Sequence, residues 1–90
     1  MALYQTAETQ KLAMTTDTAA ATFEGGVQQV YLSADADCYV DFDQPSDTGS
    51  LLIKANLAPV RIDFRGGSIT KIHAQAATGT GNLYILGVRN

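Results

Sequence analysis

Val30-Tyr31-Leu32-Ser33 and Cys38-Tyr39-Val40-Asp41-Phe42 carry the cleanest alternation in the chain. Cys38, Val40 and Phe42 fall on one face, and Tyr39 and Asp41 on the other, which is the period of a half-buried β-strand. Val30-Tyr31-Leu32 repeats the pattern. Folding the two segments back on each other around Ala34-Asp35-Ala36 sets Val30 opposite Val40 and Leu32 opposite Cys38. The expected hairpin has an apolar inner face and an outer Tyr31–Tyr39 cross-strand pair.

The same period recurs on either side. Val60-Arg61-Ile62-Asp63-Phe64 alternates, and Arg65-Gly66-Gly67-Ser68 turns the chain toward Ile69-Thr70-Lys71-Ile72-His73-Ala74-Gln75. An odd-length glycine loop predicts Ile62 facing Ile72, Val60 facing Ala74, and Asp63 facing Lys71. Leu51-Leu52-Ile53-Lys54 reads as a strand after the polar connection Asp43 to Ser50. Asn82 to Val88 is apolar on both faces, so it is expected to be central in its sheet or covered from outside. Glu24-Gly25-Gly26-Val27 reads as a turn, because paired glycines tolerate positive φ.

Residues 1–22 are rich in Ala and Thr. Gln10 to Thr15 alternates with Leu12 and Met14 inward, while Met1 to Glu8 and Thr15 to Ala21 read as arm or loop. The expectation is an N-terminal arm or weakly ordered first strand over 1–22 and one domain over 23–90. About eight short strands, Gly-rich turns and no sustained helical period make the fold class all-β, an antiparallel β-sandwich, jelly-roll-like. An immunoglobulin-like order and a partly closed barrel fit the same pattern.

Ninety residues leave room for one domain, with a neighbour or an oligomer able to supply further stability. Charged residues make up 17% of the chain, below the roughly 25% usual for soluble domains, which fits a surface covered by partners. The net charge is −3, which gives no support for nucleic-acid binding. No apolar run approaches a membrane span, and Met1 to Gln5 has neither the basic region nor the apolar run of a secretion leader. Synthesis in a cytoplasm is expected.

Chemistry-bearing residues are sparse. Asp35, Asp37, Asp41, Asp43 and Asp47 are five of the nine acidic residues, and no Lys or Arg lies between Lys11 and Lys54. Their spacing lacks the glycine and closing glutamate of an EF-hand loop, so a solvated acidic face is expected and no metal site is assigned. Cys38 alternates inward, and the single histidine, His73, belongs to another segment and is predicted to face outward. No nucleophile–base pair follows, and no catalytic or cofactor-binding residue is assigned. The glycine pairs lack the helix and lysine of a phosphate loop. The useful signal is Tyr31 and Tyr39, since tyrosine is enriched in interface hot spots and in carbohydrate sites.

Val30 to Ile85 resembles a group of small β-sandwich proteins encoded beside capsid and tail genes in tailed bacteriophages. The matching pieces are Val30-Tyr31-Leu32, Asp37 to Phe42, the Pro45 loop before Leu51-Leu52-Ile53, the Asn56/Pro59 turn, Arg61-Ile62-Asp63-Phe64, Ile69-Thr70-Lys71-Ile72 and Gly81-Asn82-Leu83-Tyr84-Ile85. The resemblance implies a non-enzymatic virion component, foremost a capsid decoration or cement subunit that binds the assembled head. Its partners would be the major capsid protein or other virion proteins and further copies of itself, without nucleic acid or membrane. The residues expected to touch partners are Leu3, Tyr4, Tyr31, Tyr39 and Tyr84. The alternatives are a tail, neck or fibre component, or a carbohydrate- or calcium-binding module.

Overall fold

The computed structural model describes residues 6–89. They form eight strands: β1 (Thr6–Met14), β2 (Ala19–Val27), β3 (Gln29–Ala34), β4 (Cys38–Phe42), β5 (Leu51–Ile53), β6 (Val60–Asp63), β7 (Ile69–Ala76) and β8 (Gly81–Arg89). Two four-stranded sheets result, ordered β1-β8-β3-β6 and β2-β7-β4-β5, with every pairing antiparallel. Every connection changes sheet except β4 to β5. This alternation is the strand order of a jelly roll, in which two sheets bury their apolar faces against each other.

The inward faces are those that alternation assigns. Val30, Leu32, Cys38 and Val40 are buried, with Phe23, Val27, Ile72, Leu83 and Ile85 beside them. Phe42 packs edge-on against Phe64 with ring centroids 5.0 Å apart, closing one end of the core.

The pairings differ from the sequence reading. β3 and β4 are not a hairpin, because they lie in opposite sheets. Tyr31 pairs with Leu86 and Arg61, Tyr39 pairs with Gln75 and Leu52, and no Tyr31–Tyr39 pair exists. The corner between them explains the crossing. The Asp35 carboxylate accepts hydrogen bonds from Asn82 N (2.6 Å) and Nδ2 (3.0 Å), fixing the chain to β8. Two residues on, Asp37 O accepts from Ala77 N (2.8 Å), beyond the end of β7. The corner thus holds one residue on each sheet.

β6 and β7 also separate. Ile62 pairs with Val30 rather than Ile72, and Ile72 pairs with Ala21 and Phe42. Glu24-Gly25-Gly26-Val27 is a β-bulge inside β2, with both glycines at φ +80°, and not the turn it resembles. Arg89 holds the bulge, donating from Nε to Gly26 O and from Nη2 to Glu24 O, both at 2.7 Å. Of residues 1–22, expected as an arm or weakly ordered first strand, 6–14 form β1, which pairs with β8 along its whole length, and β2 begins at Ala19. β8 lies centrally between β1 and β3.

Candidate functional site

With Leu83 and Ile85 inward, alternation along β8 turns Tyr84 and Leu86 outward. Their neighbours in register build one continuous outer face. Leu86 lies between Thr9 and Tyr31, and Tyr84 lies between Lys11 and Ser33. Tyr31 and Tyr84 are therefore diagonal neighbours, within reach of one ligand or one partner side chain. Between them runs a shallow groove of about 310 Å³ lined by Thr9, Tyr31, Ser33, Pro59, Tyr84 and Leu86. Tyr84 is 45% exposed, and neither tyrosine hydroxyl has a hydrogen-bond partner among the described residues. Cations stand on both edges of this sheet: Lys11 on β1, and Arg61 on β6, where it bonds Gln29 Oε1 (3.2 Å) and Asp63 (3.4 Å).

The outer face of the other sheet is arranged differently. Tyr39 sits between Gln75 and Leu52, but the chain from 43 to 50 folds back across this face. Ser46, buried, shares a 2.8 Å hydrogen bond with Thr18 Oγ1 and donates from its hydroxyl to Gln75 Oε1 at 3.3 Å. Asp41 anchors the return by accepting from Gln44 Nε2 (2.9 Å) and Ser50 Oγ (3.0 Å). The 43–50 loop thus crosses the Gln75 and Asp41 part of this sheet, while Leu52, beside Tyr39, stays 45% exposed. On the other sheet Tyr84 is exposed and Tyr31 and Leu86 are half-buried.

The five expected contact residues are thus divided. Tyr31 and Tyr84 come together, Tyr39 is on the opposite side of the sandwich, and Leu3 and Tyr4 lie outside the described residues. Leu86, Pro59, Thr9 and Ser33 were not singled out from sequence. Fixing Leu83 and Ile85 as inward would have placed Leu86 beside Tyr84, but a strand apolar on both faces hides that parity.

The acidic stretch serves the loops. Asp43, at φ 57°, accepts from Thr70 N (3.0 Å), Lys71 N (2.8 Å) and Thr70 Oγ1 (3.2 Å). Asp37 accepts from Ala55 N (2.8 Å) and from Lys54 Nζ (3.2 Å), and Asp47 from Gly49 N (2.8 Å). These bonds hold the carboxyls of Asp35, Asp37, Asp41 and Asp43 below the ordinary value of 3.8. For Asp35 the Asn82 side-chain bond leads, for Asp37 the Ala55 amide, for Asp41 the Gln44 amide and for Asp43 the Lys71 amide. Among the described residues no three His, Cys, Asp or Glu side chains converge as a metal cage.

Cys38 points into the core, and burial, with Asp37 and Asp35 nearby, pushes its thiol up to about 11. At neutral pH it is an unreactive thiol. His73 is cross-strand from Asp41 and Ala20 on the outer side of the sheet, so the two residues stand on opposite faces. A second, polar hollow of about 470 Å³ lies at one end of the sandwich beside Asp63, Phe64, Gly66 and Ser68.

In comparisons with protein-family models, curated proteins and solved structures, nothing matches this chain.

Proposed function

We propose that this chain is a non-enzymatic structural subunit of a tailed-bacteriophage particle, foremost a head decoration or cement protein that attaches through the outer face of the β1-β8-β3-β6 sheet. The observation that carries the reading is the groove on the outer face of this sheet. It joins the exposed Tyr84 to the half-buried Tyr31 and Leu86 between Lys11 and Arg61, whereas the 43–50 loop crosses part of the other sheet. Paired tyrosines present large contact area with few side-chain torsions to freeze, so they make efficient anchors against a protein surface. The pattern resemblance to small phage sandwiches supplies the partner class, with the major capsid protein first.

The mechanism is passive. A shallow groove gives each copy modest affinity, and many copies on a repeating shell add through multivalency. A subunit that binds the assembled shell and not the free capsid protein stabilises the shell by mass action. Sedimentation with purified shells of the encoding phage tests this: the protein pellets with assembled shells and stays in the supernatant with unassembled capsid protein. Failure to pellet with shells refutes the decoration role.

A second reading has its own support. The groove combines two aromatic rings with the hydroxyl-bearing Ser33 and Thr9, dimensions and chemistry that suit a sugar ring. Calorimetric titration with a glycan panel, lost in Tyr84→Ala, identifies that case.

A further inference from the structure

We propose that β6 is a homodimerisation edge, pairing antiparallel with β6 of a second copy about a twofold axis at Ile62. The proposal stands on the edge itself and is independent of what the aromatic face binds. Among the described residues β6 pairs only with β3, so its outer side is an open ladder. Phe64 N donates to Gln28 O at 2.8 Å, and the register runs Val30 to Ile62 and Leu32 to Val60. Alternation of an antiparallel ladder then directs the N–H and C=O of Arg61 and Asp63 away from β3, to the free edge.

The side chains at those positions make the edge self-complementary. With Ile62 opposite Ile62, Arg61 of each copy stands opposite Asp63 of the other. Both are the residues whose backbone groups are free, so each Arg61–Asp63 position forms a hydrogen-bonded pair and Ile62–Ile62 the non-hydrogen-bonded pair between them. A twofold contact must use one patch on both copies, and a basic and an acidic residue flanking a central aliphatic meet that requirement. In one chain the two meet in an exposed 3.4 Å contact within the strand, and Arg61 also donates from Nε to Gln29 Oε1 at 3.2 Å. The register also sets Val60, 38% exposed, against Phe64 of the second copy, beside the 470 Å³ hollow that Phe64 lines. The product is a continuous sheet of eight strands with both Tyr31–Tyr84 grooves on its outer surface.

Sedimentation velocity over a concentration series tests this directly. The expected result is a species of twice the 9.5 kDa chain mass that dissociates on dilution. Asp63→Arg sets arginine against arginine, and Arg61→Asp sets aspartate against aspartate, so each variant alone sediments as a monomer. The two variants mixed form a heterodimer, because both positions regain opposite charges, and the double variant R61D/D63R dimerises again. Amide exchange of the unaltered protein gives a readout that needs no variant: the Arg61 and Asp63 amides become protected as concentration rises. A monomer at every concentration up to millimolar overturns the proposal, as do single variants that still dimerise, a mixture that stays monomeric, or protection that appears along β1 instead.

Discussion

Gly87→Ala tests how closely the two sheets approach. Gly87 lies on β8 between Glu8 and Val30, and faces the core. A Cβ built there falls 2.8 Å from Phe23 Cε1, 2.9 Å from Val27 Cγ1 and 3.1 Å from Phe23 Cδ1, well inside van der Waals contact. Phe23 and Val27 are both fully buried, so neither can swing aside into solvent. Overpacking of this kind costs about 1–3 kcal/mol. Gly87 has no positive φ, so alanine also gains about 0.4–1 kcal/mol by restricting the unfolded chain. The net loss is about 1–2 kcal/mol, and at this chain length each kcal/mol moves Tm by about 4–8 °C. Thermal and urea unfolding followed by circular dichroism measure it. Phe23→Leu alone costs about 1 kcal/mol of buried surface, but it removes the clash, so the double variant loses about 1 kcal/mol less than the two singles added together. A Gly87→Ala protein as stable as wild type, or a double variant that is strictly additive, refutes the packing of β8 on Phe23.

Arg89→Ala removes two charge-assisted hydrogen bonds from the β2 bulge; about 1–2 kcal/mol is lost, and amide exchange near Gly25 and Gly26 accelerates. Arg89→Lys does not restore the stability, since one ammonium lacks the fork that reaches both carbonyls. The raised Cys38 thiol predicts stability that is complete below the unfolded thiol value of 9.0 and declines as pH rises toward about 11, a slope missing in Cys38→Ala when urea midpoints are compared across that window. The lowered Asp35, Asp37, Asp41 and Asp43 carboxyls act in the opposite direction: their stabilisation is present above pH 3.8 and disappears as pH falls below it, and Asp43→Asn shows a shallower acid transition by circular dichroism.

Alternation made the inward set legible, and left the partners of each strand hidden. Val30, Leu32, Cys38 and Val40 point into the core whether their strands pair as a hairpin or face each other across it, because both arrangements bury the same side. What separates the two is the corner at Asp35 and Asp37, whose bonds reach Asn82 and Ala77, at least forty residues away. Gly25-Gly26 misled in a related way, since positive φ serves a bulge as well as a turn. Tyr84 was legible as a candidate and its companion Tyr31 as another, but their meeting depends on β8 lying between β1 and β3. Tyr39 failed as a member of that patch for the same reason, being carried to the opposite sheet with β4.

Adhesion through one face of one sheet is the central claim, and a comparison of three tyrosine variants tests it most directly. Affinity for purified shells is measured for Tyr31→Ala, Tyr84→Ala and Tyr39→Ala, each first shown to unfold at the wild-type temperature. The account predicts that the first two weaken binding at least tenfold, as expected for interface anchors, while Tyr39→Ala binds like wild type. Equal loss in all three, or loss confined to Tyr39→Ala, contradicts it.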